Sequence, residues 1–159
     1  MDDKILRTHL VSLLDGKEAH VDFSKAVAGI SPKNRGVRPK GSPHSAWEII
    51  EHIRIANWDI LEFSLNAKHK SPDWPSGYWP KKPAPPSAAA WTKSLKENER
   101  YLREMKALVE NPATDLFAKI PHGSGQTILR QAMLVADHNS YHLGELVLVR
   151  RLLGDWQSS

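Results

Sequence analysis

The sequence predicts an all-α protein: an antiparallel up-down four-helix bundle with a broken first helix and a long Pro-rich loop. Three observations carry this expectation. Apolar residues recur at helical spacing through four long segments, and no stretch shows the period-two alternation of a half-buried strand. Proline falls between those segments or in a first turn, and glycine, Gly144 apart, falls between or breaks them. A length of 159 residues suits one domain, 1–159, large enough to bury a core.

The elements follow in order. From Asp3 to about Leu14, Ile5, Leu6, Leu10, Leu13 and Leu14 make a helical stripe, which Gly16 interrupts. Ala19 to Ala28 resumes it with Val21, Phe23 and Val27, and Gly29 and Pro32 stop it. Residues 31–43, rich in Pro, Gly and Lys, read as a loop. Ser42 as N-cap with Pro43 in the first turn then opens a helix that runs to about Asn66. Residues 71–86 hold six of the eleven prolines, a density no regular element survives. Trp74, Tyr78 and Trp79 are heavy apolar cargo for a linker, and docking onto the bundle is favoured over a ligand-pocket wall. Ser87 to Glu110 is the third long helix, stopped at Asn111-Pro112. A short turn at 113–118 and the tight turn Pro121-His122-Gly123-Ser124-Gly125 lead to the last helix, Gln126 to Leu153, closed by Gly154.

Composition narrows the chemistry. The chain has no cysteine, which excludes disulfides, cysteine nucleophiles and thiolate metal sites within it. Histidine, aspartate and glutamate remain as metal ligands. No run approaches 18 apolar residues, so no membrane span is expected. The opening Met1-Asp2-Asp3-Lys4 lacks a basic region followed by an apolar run, and a cytoplasmic location is expected. The formal charge is +4, and much of the excess sits in loops at Lys33, Arg35, Arg38, Lys40, Lys68, Lys70, Lys81 and Lys82. Such runs are usually solvated surface, and nucleic acid is not an expected partner.

The segment 136–145, ADHNSYHLGE, is the most informative. His138 and His142 are four residues apart, so both imidazoles leave one face of the helix, one turn apart. Val135, Leu146 and Val149 share that apolar stripe. In the second long helix His52 lies on an inward stripe with Ile55, Ala56, Asp59 and Phe63. Inward histidines suit a metal site, and equally suit core imidazoles satisfied by hydrogen bonds. Among nearby carboxylates, Asp59 and Glu48 are the catalytic candidates. Asp59 can orient an imidazole or act as a base at the cavity mouth, and equally can form a plain buried ion pair with an Arg; Glu48, one turn before His52, can reach the same site or pair on the surface with His44 or His52. His9, His20, His44, His69 and His122 read as surface or capping residues, His20 being the first exception to consider.

The chain resembles the DinB-like superfamily through residues 45–63 (SAWEIIEHIRIANWDILEF), 125–130 (GQTILR) and 135–146 (VADHNSYHLGEL), with 19–23 (AHVDF) also fitting. The likeness covers essentially the whole chain in order. It implies a four-helix bundle that holds one divalent metal ion on His52, His138 and His142. Zinc suits three imidazoles in a tetrahedral site, nickel an octahedral one completed by water. The resemblance further implies a metal-dependent enzyme of hydrolase or thiol-dependent transferase type. Its partner would be a small-molecule substrate or a low-molecular-weight thiol. The alternative is a non-catalytic, metal-binding stress-response bundle. Members commonly pair, and a homodimer is expected, with Leu148, Leu152 and Leu153 as interface candidates.

Overall fold

The computed structural model describes residues 3–156; Met1 and Asp2 of the acidic opening lie outside them. The described residues are helical, with no strand beyond an isolated bridge between Lys119 and Thr127. Five helices follow in order: α1 Lys4–Asp15, α2 Phe23–Val27, α3 Ala46–Leu65, α4 Ala88–Glu110 and α5 Ile128–Leu152. Helix α3 packs on both α4 and α5, and α1 closes against α4 and α5 from the other side. None of the described helices is long and apolar enough to cross a membrane.

Helix boundaries follow local chemistry. Gly16 ends α1 in the left-handed region, and its N–H returns to the carbonyls of Ser12 and Leu13. The expected 19–28 helix shrinks to α2 because the Asp22 side chain accepts from the Lys25 N–H and starts the helix there. Helix α3 starts three residues later than the Ser42-Pro43 signal suggests. Ser45 and Glu48 form a reciprocal capping box, which satisfies two backbone N–H groups at once. Ser42 instead bonds to the His44 backbone. Ser87 and Thr127 cap α4 and α5 through the N–H groups of Ala90 and Arg130.

The apolar interior falls into two clusters. One gathers Leu10, Leu14, Leu61, Met105, Val109, Leu116 and Val135. The other gathers Phe23, Trp47, Ile50, Ile53, Trp91, Leu143 and Leu146. Both draw on α3, α4 and α5. In the register between them or at the edge of the second, those helices carry buried polar side chains: His52 and Asn57 on α3, Ser94 and Asn98 on α4, Asn139 and His142 on α5. Asn57 donates to Asn98 across this belt, and Ser94 donates to Glu51. The layer satisfies these groups only in part: Asn57 Oδ1, Asn98 Nδ2, His138 Nδ1 and Asn139 Oδ1 are buried with no hydrogen-bond partner among the described residues.

Two irregular segments pack against α3, the later one running back along it from Asp59 past His52 to the Ser45 cap. Residues 66–87 contain nothing more regular than a short 3-10 turn at Ser76–Tyr78. They are tied down by the Ser45 hydroxyl, which donates to the Pro83 carbonyl. Gly36 of the preceding segment meets Ala84 so closely that a Cβ at Gly36 would collide with it. Glu48 closes the arrangement by accepting two bonds from the Arg38 guanidinium. Burial alone would raise the Glu48 carboxyl, but the bonds from Arg38 and Ser45 outweigh it and hold it below its ordinary value.

The folded state therefore favours ionised Glu48. Its contribution is fully present above the ordinary pKa of 4.5 and fades as pH falls through the lowered native value. Glu48→Gln should lose about 1–3 kcal/mol at neutral pH, the scale of a charge-assisted buried hydrogen bond. Urea titrations of both proteins should show the gap closing below about pH 4.

Candidate metal centre

His52, His138 and His142 meet in the polar belt. One ligand-type atom from each lies within 4.8 Å of the others. Helix α3 supplies His52, and α5 supplies the other two, one turn apart. The Nε2 atoms face each other: His52 to His142 at 3.1 Å and His138 to His52 at 3.0 Å. His52 and His142 are buried, and His138 is half-buried.

The outer nitrogens decide the protonation pattern. His52 Nδ1 lies 2.9 Å from the Tyr78 carbonyl, which can only accept, so Nδ1 carries the proton. His142 Nδ1 lies 3.0 Å from a Glu145 carboxylate oxygen, and donates in the same way. Burial alone would raise the Glu145 carboxyl, but hydrogen bonds from His142 and His44 hold it below the usual range. It is an acceptor at neutral pH. Neutral rings with Nδ1–H present bare lone pairs at Nε2, and two such lone pairs now face each other at 3.1 Å. Like ends of two dipoles at that distance repel unless a cation stands between them. Protonation is a poor remedy, because burial pushes His52 down to about 4. Burial with the neighbouring His142 and His52 pushes His138 down to about 3. The donor set fits a transition-metal ion, for which neutral imidazole is the commonest ligand.

The two candidate carboxylates are engaged elsewhere. Glu48 serves the capping box and Arg38. Asp59 accepts from the Tyr78 hydroxyl at 2.6 Å, with His69 Nε2 2.7 Å from its other oxygen. Burial and Asp59 together push the Tyr78 hydroxyl up to about 12, so it stays a donor. His69, expected at the surface, has a side chain only 7% exposed and meets Trp58 edge-on. Its burial follows from pairing with Asp59.

Of the three aromatic residues in the 71–86 segment, two dock and one does not. Trp74 is 75% exposed. Trp79 lies flat on His52 at 3.9 Å and, with its other face, on His44 at 3.9 Å. His20 contacts α5 through Ser140, 2.9 Å away, and does not enter the three-histidine group. Tyr141 is 75% exposed and sets its ring edge-on to His142.

A family model described as the DinB superfamily matches residues 17–146, which takes in α2 to α5 up to Leu146 and all three histidines. The chain belongs to the DinB superfamily. No curated protein and no solved structure matches it. Glu145 and His44 are what sequence reasoning about this DinB member passed over. An i,i+3 Glu after a histidine on one helix face was the available signal for Glu145. His44 had none, because its position depends on where α3 begins.

The depressed histidines give the metal-free protein an acid dependence of definite sign. Below the ordinary value of 6.5 the unfolded chain takes up protons that the native rings refuse, so stability falls as pH falls from 6.5 toward 4. The slope is at most about 1.4 kcal/mol per pH unit for each ring. Urea midpoints measured in chelator should decline across that window, and His138→Leu should flatten the decline.

Proposed function

We propose that this DinB-superfamily protein is a metal-dependent enzyme. One divalent transition-metal ion, zinc or nickel, is held by His52, His138 and His142. The single observation behind this reading is the facing of three imidazole Nε2 atoms whose outer partners leave at least two of them as bare lone pairs. Among the described residues, no carboxylate joins the three-histidine group. Three protein ligands leave a position for an exogenous ligand, as in catalytic rather than closed structural sites. When bound, the ion supplies Lewis acidity to a substrate oxygen, a water or a thiol. The reaction type is hydrolysis or thiol-dependent transfer, on a small molecule or with a low-molecular-weight thiol.

The chain's own residues prepare that position. Tyr78 and Glu145 fix the tautomers of His52 and His142, which keeps their Nε2 lone pairs turned inward. Trp79 covers one face of His52 and keeps water from it. Asp59 and Glu48 act on the site through the segments they hold rather than by touching the imidazoles.

Trp79 also supports a second reading, a non-catalytic metal-binding bundle in which the ion stabilises the fold. Turnover of the metal-loaded protein on thiol-transfer, ester and amide panels separates the two. In either reading the chain is one cytoplasmic domain, its four long helices an antiparallel up-down bundle. It pairs as a homodimer through the exposed α5 residues Met133, Tyr141, Leu148 and Leu152.

The first test is metal content by plasma mass spectrometry on tag-free protein. Wild type should carry about one ion per chain, and His138→Ala should lose at least roughly ten-fold in occupancy. Absence of metal from wild type after zinc or nickel is added would reduce the histidines to core residues.

A further inference from the structure

Beyond the three imidazoles, a closed circuit of contacts runs around the site. His142 Nδ1 donates to Glu145 at 3.0 Å. The other carboxylate oxygen of Glu145 takes His44 Nδ1 at 2.9 Å. His44 stacks on Trp79 with ring centroids 3.9 Å apart and planes 14° from parallel. Trp79 stacks on His52 at 3.9 Å and 1°. His52 returns to His142 through the two Nε2 atoms, 3.1 Å apart. Of these five residues, only Trp79 comes from the 66–87 segment, and the adjacent Tyr78 carbonyl orients His52.

We propose that Glu145, His44 and Trp79 are positioning residues that couple metal binding at the three histidines to docking of the segment carrying Tyr78 and Trp79. This inference rests on the metal reading and adds a coupling that reading does not contain. The physical basis is reciprocity. His52 presents its Nε2 inward only while its Nδ1–H has the Tyr78 carbonyl to donate to and its ring is pinned under Trp79. Beside the anchors Tyr78–Asp59 and Ser45–Pro83, His44 supports the opposite face of Trp79, and His44 is oriented by the carboxylate that also orients His142. A ligand bound by His52 and His142 therefore favours the docked segment. Docking must raise affinity for that ligand by the same factor. Glu145 is central because its two oxygens serve two rings. A Gln there keeps one acceptor oxygen and puts an NH2 donor where the other stood, so one of the two rings loses its acceptor.

The test uses the full chain and zinc alone as probe, with affinity read by competition against a chromophoric chelator. Hydrogen exchange of the amides from Ser76 to Lys82 is followed with and without zinc. In wild type, saturating zinc should slow exchange in that segment. Glu145→Ala should raise the zinc Kd by roughly ten- to a hundredfold, the range seen when an outer partner of a metal-bound histidine is removed. Glu145→Gln should fall between. Trp79→Ala, which removes no hydrogen-bond partner of a ligand side chain, should also weaken zinc and abolish protection of the remaining amides. Arg100→Ala, an exposed pair with Glu104, is the control and should change neither. Metal-free melting curves report whether each variant folds, and the wild-type exchange experiment stands without any of them. Stoichiometric zinc in wild type with no change in exchange at 76–82, or Glu145→Ala binding zinc within about twofold of wild type, would overturn the coupling alone. A wild type that takes up no zinc or nickel would instead remove the metal reading beneath it.

Discussion

Two histidine lone pairs pointed at each other across 3.1 Å, with a third imidazole 3.0 Å away, are the constraint on which the surrounding structure depends. Left in water, these rings would turn outward and hydrogen-bond to solvent. Between the helices that freedom is curtailed, because the apolar residues of the second cluster flank His52 on α3 and His142 on α5. Their outer nitrogens therefore turn to protein groups where the fold offers them. Two of them are satisfied, by a backbone carbonyl from outside the helices and by a carboxylate one turn along α5. His138 Nδ1 has no partner among the described residues, which leaves its ring the least constrained of the three.

That arrangement explains why an irregular segment is docked so firmly. Residues 66–87 have little secondary structure and six prolines, so few of their own backbone bonds hold them in place. Side chains hold them instead. Tyr78 anchors to Asp59 with a charge-assisted bond, Trp79 enters between two imidazoles, and the Pro83 carbonyl accepts from the Ser45 hydroxyl. The prolines also help by limiting the freedom the unfolded segment has to lose. Asp59 and Glu48, buried acids near opposite ends of α3, thus hold two irregular segments against that helix.

Much of the site was legible before any tertiary information. Helical periodicity put His138 and His142 on one face and turned His52 inward, because a helix fixes side-chain direction from spacing alone. The start of α3 was less legible. Ser42-Pro43 and Ser45-x-x-Glu48 are both start signals, and the second prevails because it satisfies two N–H groups reciprocally. The partners of Asp59 were not legible at all. Tyr78 and His69 lie in an irregular segment whose path no periodicity describes.

The sequence by itself determined the helical class, the approximate helix limits and the inward facing of His52, His138 and His142. Each of these follows from residue spacing within a single helix or from a cap only a few residues long. Tertiary structure alone decided that the three imidazoles converge on one point between two apolar clusters. It also decided that His44 joins Glu145 to Trp79 and so to His52, and that Trp74 stays in solvent while its neighbours dock. Those outcomes depend on how separate helices and a proline-rich segment meet in space, and the pairing of groups 26 to 101 residues apart leaves no local pattern in the chain.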